Sequence, residues 1–231
     1  MIDIEAFKSE IIGKVKSRFI VNQSIINFQK QFYYPKVIHL LKFNIEKYEV
    51  KDLGNMAILQ GRGFGLMKMI TVVFTPSFKK DIPLVIIDFI KMANKRTVFI
   101  EFYSNHIVEK NHTITLDSRL KKIHKKYSNI ENYIENPNWY TPLRNEFSPL
   151  KKGTKNDDSL LCQMVLESLD AYLDCASEDE SEMDIKNKHL ECFINDLINK
   201  GNPSTSVLEK ALGKEETRRF FEDVVFYYDG R

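Results

Sequence analysis

The sequence predicts an α+β protein, a three-layer α/β/α sandwich around a central antiparallel sheet. Three observations predict it. Apolar residues recur at helical spacing at both ends of the chain, while the middle holds short runs rich in β-branched and aromatic residues. The connections between those runs fall short of the dozen or more residues that a parallel crossover needs. The run "PLVIIDFI" at residues 83–90 is apolar at almost every position, as a strand covered on both faces should be.

In chain order, residues 4–20 carry Phe7, Ile11, Ile12, Val15 and Phe19 on one helical stripe, with Asp3 placed to cap it. A second helical stretch is expected to reach about Leu41, making residues 1–41 helical. "KFNIEKYEV" then changes the period with Phe43 and Ile45. Strand runs follow at 54–61, 65–75, 83–91 and 96–103, punctuated by the turns "KKDIP" and "ANK". Residues 43–104 are therefore assigned to the antiparallel sheet. Residues 117–228 read as mainly helical. Asp117 stands where a cap would, and "DDSLLCQMVLESLDAYL" carries the stripe Leu161, Val165, Leu169 and Tyr172. "SVLE", Ser206 to Glu209, has the capping-box pattern and Gly213 reads as a stop. The last helix is expected to bury Phe220, Phe221, Val224 and Tyr228, and "NPNWYTPLRNEFSPLKKGTKND" is the most loop-like stretch. No internal repeat is found, and the length allows one large domain or two small ones; residues 1–231 are expected to form a single domain.

The 231 residues are 43% hydrophobic, enough for a sizeable core. No apolar run approaches the roughly 18 residues of a membrane span. "MIDIEAFKSE" lacks the apolar core of a signal peptide, and Cys162, Cys175 and Cys192 lie far apart. These features lead to the expectation of a cytoplasmic protein with reduced thiols. A formal net charge of +2 supplies no general attraction to nucleic acid. Charge is nevertheless patterned: "SRLKKIHKK" gathers Arg119, Lys121, Lys122, Lys125 and Lys126, "KKGTK" follows at 151–155, and "SEDESE" occupies 177–182. The basic cluster is either a solvated helix face or a docking patch for an acidic partner. "GRGFG" at 61–65 leads into a strand rather than a helix, so it reads as a hairpin turn and not as a nucleotide loop. The five histidines show no metal-ligand spacing, and no metal site is expected.

What remains is Asp88, a carboxylate near the middle of a strand with two apolar faces. Burying it ionised is costly, so the usual escape is to hold a proton, and an acid with a raised pKa can deliver that proton. The strand phase puts Leu84, Ile86, Asp88 and Ile90 on one face. The bland alternative is an Asp paired with a Lys or Arg, or one at a sheet end.

Two stretches carry a resemblance. "GFGLMKMITVVFTPSFKKDIPLVIIDFI" at 63–90 and "NPSTSVLEKALGKEETRRFFEDVVF" at 202–226 resemble, in order and spacing, the central strands and the closing segment of the ferredoxin-dependent bilin reductases. The resemblance spans roughly residues 43–228. It implies an α/β/α sandwich that acts as a monomer on a linear tetrapyrrole such as biliverdin. It also implies no tightly bound cofactor, with electrons delivered one at a time by an external [2Fe-2S] ferredoxin. Asp88 falls on the catalytic proton donor, and Asn202 falls where several members place a second catalytic Asp. Thr97 falls on a hydroxyl that helps hold a propionate. Ile70 and Ile58 stand where the phycocyanobilin-forming members have a His and a Glu, with Ile70 and Ile86 then expected to touch the substrate. The basic propionate anchor ahead of Trp139 is missing, with Arg144 as its substitute. Lys121, Lys122, Lys125 and Lys126 become the ferredoxin-docking surface. Loss of the His and Glu implies a two-electron reduction with Asp88 as the main acid. A tetrapyrrole-binding protein without catalysis, on the same fold, is the alternative.

Overall fold

A computed structural model describes residues 3–24, 42–63, 66–77, 80, 82–103, 111–178, 188–202 and 204–227. Among them, seven strands form one antiparallel sheet in which each strand pairs with the next in sequence: β1 (Val21–Ser24), β2 (Lys42–Val50), β3 (Gly54–Gly63), β4 (Met67–Pro76), β5 (Leu84–Met92), β6 (Lys95–Tyr103) and β7 (Leu150–Thr154). Helices α1 (Ile4–Lys16), α2 (Asn111–Lys126) and α3 (Asp158–Glu178) cover one face. The other is covered by α4 (Lys188–Asn199), α5 (Thr205–Leu212) and α6 (Lys214–Phe220), which runs into a π-helical turn at Phe221–Val225. The three-layer α/β/α sandwich is thus the observed fold. No described helix is long and apolar enough to cross a membrane.

Alternation along each strand divides the hydrophobic side chains between two cores. On β5, Val85, Ile87 and Phe89 join the core beneath α1–α3, where the Phe89 ring meets Phe7 of α1 edge-on at 5.5 Å. Each such fully buried side chain stabilises the fold by roughly 1.5–3 kcal/mol. The opposite phase, from Leu84 to Ile90, faces α4–α6. Asp3 caps α1 by accepting the Glu5 N–H at 3.0 Å, and Gly213 separates α5 from α6 at φ 83°, a conformation that favours glycine.

Several expectations are corrected. Residues 21–24, assigned to a helix, form β1; the remainder of that stretch, 25–41, lies outside the described residues, as do most of the acidic run and Tyr228. Asp117 sits inside α2, which begins at Asn111, and accepts from Asn145 Nδ2 at 2.5 Å. The capping-box reading of Ser206 fails because α5 already starts at Thr205. The Asn202 side chain turns the preceding chain by accepting the Ser204 N–H at 2.9 Å.

The loop-like stretch contains β7, which the alternation rule misses because its one buried position is a lysine. Lys151 is buried and donates to the Ile130 carbonyl at 3.0 Å and to Asn132 Oδ1 at 2.7 Å. Its aliphatic stem lies in the interior while the ammonium finds oxygen partners. Beside it, buried Arg96 of β6 pairs with Asp158 of α3, Nε to Oδ1 at 2.5 Å, and ties that helix to the sheet.

Candidate active site

The side of the sheet facing α4–α6 holds a cavity of about 1380 Å³, larger than the roughly 300–1,000 Å³ of ordinary small-molecule sites. Its floor is built by alternate residues of consecutive strands: Leu59 on β3, Met69 and Thr71 on β4, Ile86 and Asp88 on β5, and Phe99 and Glu101 on β6. Gly61 makes room at one end, since a Cβ there would stand 2.6 Å from Met69 Cγ. The other end is closed by Trp139 and Tyr140. The Trp139 indole N–H donates to the Gly201 carbonyl at 3.0 Å and so fixes the segment before α5 over the cavity.

Asp88 lies on the cavity floor. Register pairs it with Thr71 on one side and Phe99 on the other, and the Thr71 hydroxyl donates to its Oδ1. The side chain is half-buried because the surface left to it is cavity surface. Burial pushes its carboxyl up to about 7; the Thr71 hydrogen bond works against that shift and the charge of Glu101 adds to it. An acid in this range exchanges protons readily at neutral pH.

Glu101 went unremarked in the sequence, although "FIEFY" at 99–103 poses the same question as "PLVIIDFI": one acid in an apolar strand. It lines the cavity, accepts from Tyr103 Oη at 2.9 Å and pairs with Arg144 Nη1 at 2.8 Å. The same guanidinium donates through Nη2 to Glu135. Burial pushes the Glu101 carboxyl upward, against the pull of Arg144 and Tyr103. Burial also lifts the Tyr140 phenol to about 12, with Glu101 and Glu135 adding to the shift.

The remaining site expectations divide by strand phase. Ile86 lines the cavity. Ile70 does not: it is buried among the residues beneath α1–α3, and so is Ile58. Their neighbours Thr71 and Leu59 occupy the cavity face, since successive residues of a strand turn to opposite layers. Thr97 pairs with Ile90 and shares the cavity face, but lies beyond the residues that line the cavity. Asn202 is part of the lining, while its side-chain oxygen is engaged by the Ser204 N–H and its own N–H by Thr205 Oγ1 at 2.9 Å. Arg144, expected to replace the basic propionate anchor, is not among the residues that line the cavity and has both arms on carboxylates. Among the described residues, the cations that line the cavity are Lys200, Lys214 and Arg218. Lys121, Lys122, Lys125 and Lys126 are exposed on α2, in the layer across the sheet from the cavity, and Lys126 pairs with Glu167 at 2.5 Å.

Neither a scan of protein-family models nor a search of curated proteins finds a match for this chain. Solved structures do match. Phytochromobilin synthase from tomato, crystallised in complex with biliverdin, superposes with a TM-score of 0.78 over 97% of this chain and 83% of its own, at 12% sequence identity. The two chains share a fold.

Proposed function

We propose that this chain, built on a bilin-reductase-like fold, reduces a linear tetrapyrrole, biliverdin or a close relative, by two electrons with Asp88 as proton donor. The observation that carries this reading is the Asp88 carboxyl on the floor of a large, mainly apolar cavity, where burial favours its protonated form. Saturating one conjugated double bond takes up two electrons and two protons. The electrons come singly from an external [2Fe-2S] ferredoxin, and each leaves negative charge on the pigment. Asp88 transfers a proton to that charge and regains one from water, so it can serve both protonations in turn. No tightly bound cofactor is needed in this scheme; the protein positions the pigment and supplies protons.

The residues flanking Asp88 support a two-electron rather than a four-electron course. On the cavity face its β4 partner is Thr71 and the next strand presents Leu59, neither of which titrates near neutral pH. The pigment's carboxylates would meet Lys200, Lys214 or Arg218 in place of Arg144. The exposed lysines of α2 would attract an acidic ferredoxin, in a manner weakened by salt. The same non-titrating neighbours favour, as a second reading, a tetrapyrrole carrier in which Asp88 only accepts pyrrole N–H bonds.

One experiment separates the two readings. Biliverdin is mixed with the protein, the visible spectrum is recorded, and a ferredoxin reducing system is added without oxygen. Reduction predicts a spectral shift on mixing followed by bleaching or a blue shift. A shift on mixing with nothing further selects the carrier, and no change on mixing eliminates both.

A further inference from the structure

We propose that Glu101 is a positioning residue for Asp88: the net-anionic triad Glu101–Arg144–Glu135 in the cavity wall keeps the neighbouring Asp88 carboxyl from releasing its proton before a ligand needs it. The part this plays in turnover rests on the function proposed above, whereas the effect on Asp88 does not.

The geometry begins with strand register. Ile86 stands opposite Glu101 and Asp88 opposite Phe99, so the two acids are diagonal neighbours on one face of the sheet, roughly 7–8 Å apart by standard sheet geometry. Phe99 stands opposite Asp88 and two residues before Glu101 on the same face of β6, its ring packed edge-on against Tyr133 at 4.9 Å. Glu101 is fixed in place by Tyr103 and Arg144. Arg144 also holds Glu135, so one guanidinium serves two carboxylates, and with both ionised the triad carries one net negative charge. Asp88 itself is hydrogen-bonded by a neutral hydroxyl, that of Thr71.

The other charged groups of the cavity wall come from the α4–α6 layer: Lys200, Glu209, Lys214, Glu215 and Arg218. Lys200 is matched by Asp196 at 2.8 Å, Arg218 by Glu222 at 2.9 Å, and Glu215 by Arg219 at 3.2 Å. Of the cavity's charges, that of Glu101 is the one that adds to the upward shift of Asp88. Were Asp88 to ionise, two negative charges would share the floor of the cavity. At such a separation and an effective dielectric of about 20, the interaction is worth on the order of 1 pH unit in the midpoint of the second acid.

The test reads Asp88 directly. The protein is labelled with carboxyl-¹³C aspartate, the Asp88 resonance is assigned by its loss in Asp88→Asn, and the pigment-free protein is titrated by NMR. Glu101→Gln, which retains the hydrogen-bonding shape, is expected to lower the Asp88 midpoint by on the order of 1 pH unit. Glu135→Gln leaves Arg144 with one carboxylate, neutralises the group and is expected to move the midpoint the same way. An unchanged midpoint in both variants overturns the proposal. Should Glu101→Gln fail to fold, Glu135→Gln decides alone. If the chain is a reductase, the alkaline limb of the pH–rate profile of Glu101→Gln moves down with the midpoint. A shifted midpoint in a protein that never reduces the pigment supports the triad's role while removing the proposed function.

Discussion

Thr71 on β4 and Asp88 on β5 stand opposite each other, and the Thr71 hydroxyl donates a hydrogen bond to Asp88 Oδ1. This is the one interaction among those shifting Asp88 that favours its ionised form; burial and Glu101 both oppose it. Thr71 therefore tempers an acid that would otherwise hold its proton too tightly for neutral pH.

Replacing Thr71 with Val keeps the volume and removes the donor. The Asp88 midpoint is then expected to rise above about 7, since a hydrogen bond to the charged form is lost. NMR titration of the carboxyl-labelled protein measures it, and a fall in the midpoint would contradict the assigned direction.

Asp88→Asn preserves the size and polarity of the side chain and deletes the transferable proton. Turnover is expected to fall by at least about a hundredfold, the usual scale of general-acid catalysis, with biliverdin still bound. Stopped-flow reduction and an equilibrium spectral titration separate the two effects, and wild-type turnover in the variant would remove Asp88 from the chemistry.

The same variant should reveal a linkage between stability and pH. The Asp88 pKa is raised from 3.8 in its ordinary state to about 7 in the fold, so its contribution is fully present below pH 3.8 and is lost as pH rises through about 7. Asp88→Asn should therefore gain stability relative to wild type between acid and pH 8, by roughly 1–3 kcal/mol once water in the cavity is allowed for. Urea unfolding of both proteins at the two ends of that range measures the difference, and parallel stability curves would refute it.

Arg96 and Asp158 form a buried ion pair far from the cavity. Asp158→Ala leaves the guanidinium buried without its carboxylate and should destabilise the fold by about 3–5 kcal/mol. Chemical denaturation gives the value. The Asp88 midpoint should be unaffected, which marks the effect as one on folding alone.

The expectations that rested on local pattern and those that rested on distant contacts met different fates. Residues 54–61, 65–75, 83–91 and 96–103 carry their strand identity in alternation and β-branching, and β3 to β6 lie within a residue or two of those bounds. The face that Asp88 shares with Leu84, Ile86 and Ile90 follows from the two-residue repeat of a strand. By contrast, β1 and β7 hold polar residues such as Asn22, Gln23, Lys151 and Lys152, and they are strands because a neighbour's unpaired edge captures them.

The chain's own letters thus determined the layer order, the antiparallel sheet and one acid with apolar neighbours, because these follow from residue periodicity and the cost of burying charge. Only the folded arrangement decided what surrounds that acid. Thr71, Glu101 and Arg144 are 17, 13 and 56 residues from Asp88 in sequence, and they come together through strand register and the return of the chain past β6. It is also register that sent Ile70 and Ile58 to the opposite core. A period of two gives each strand two faces, but which face meets the cavity depends on the layers packed against it.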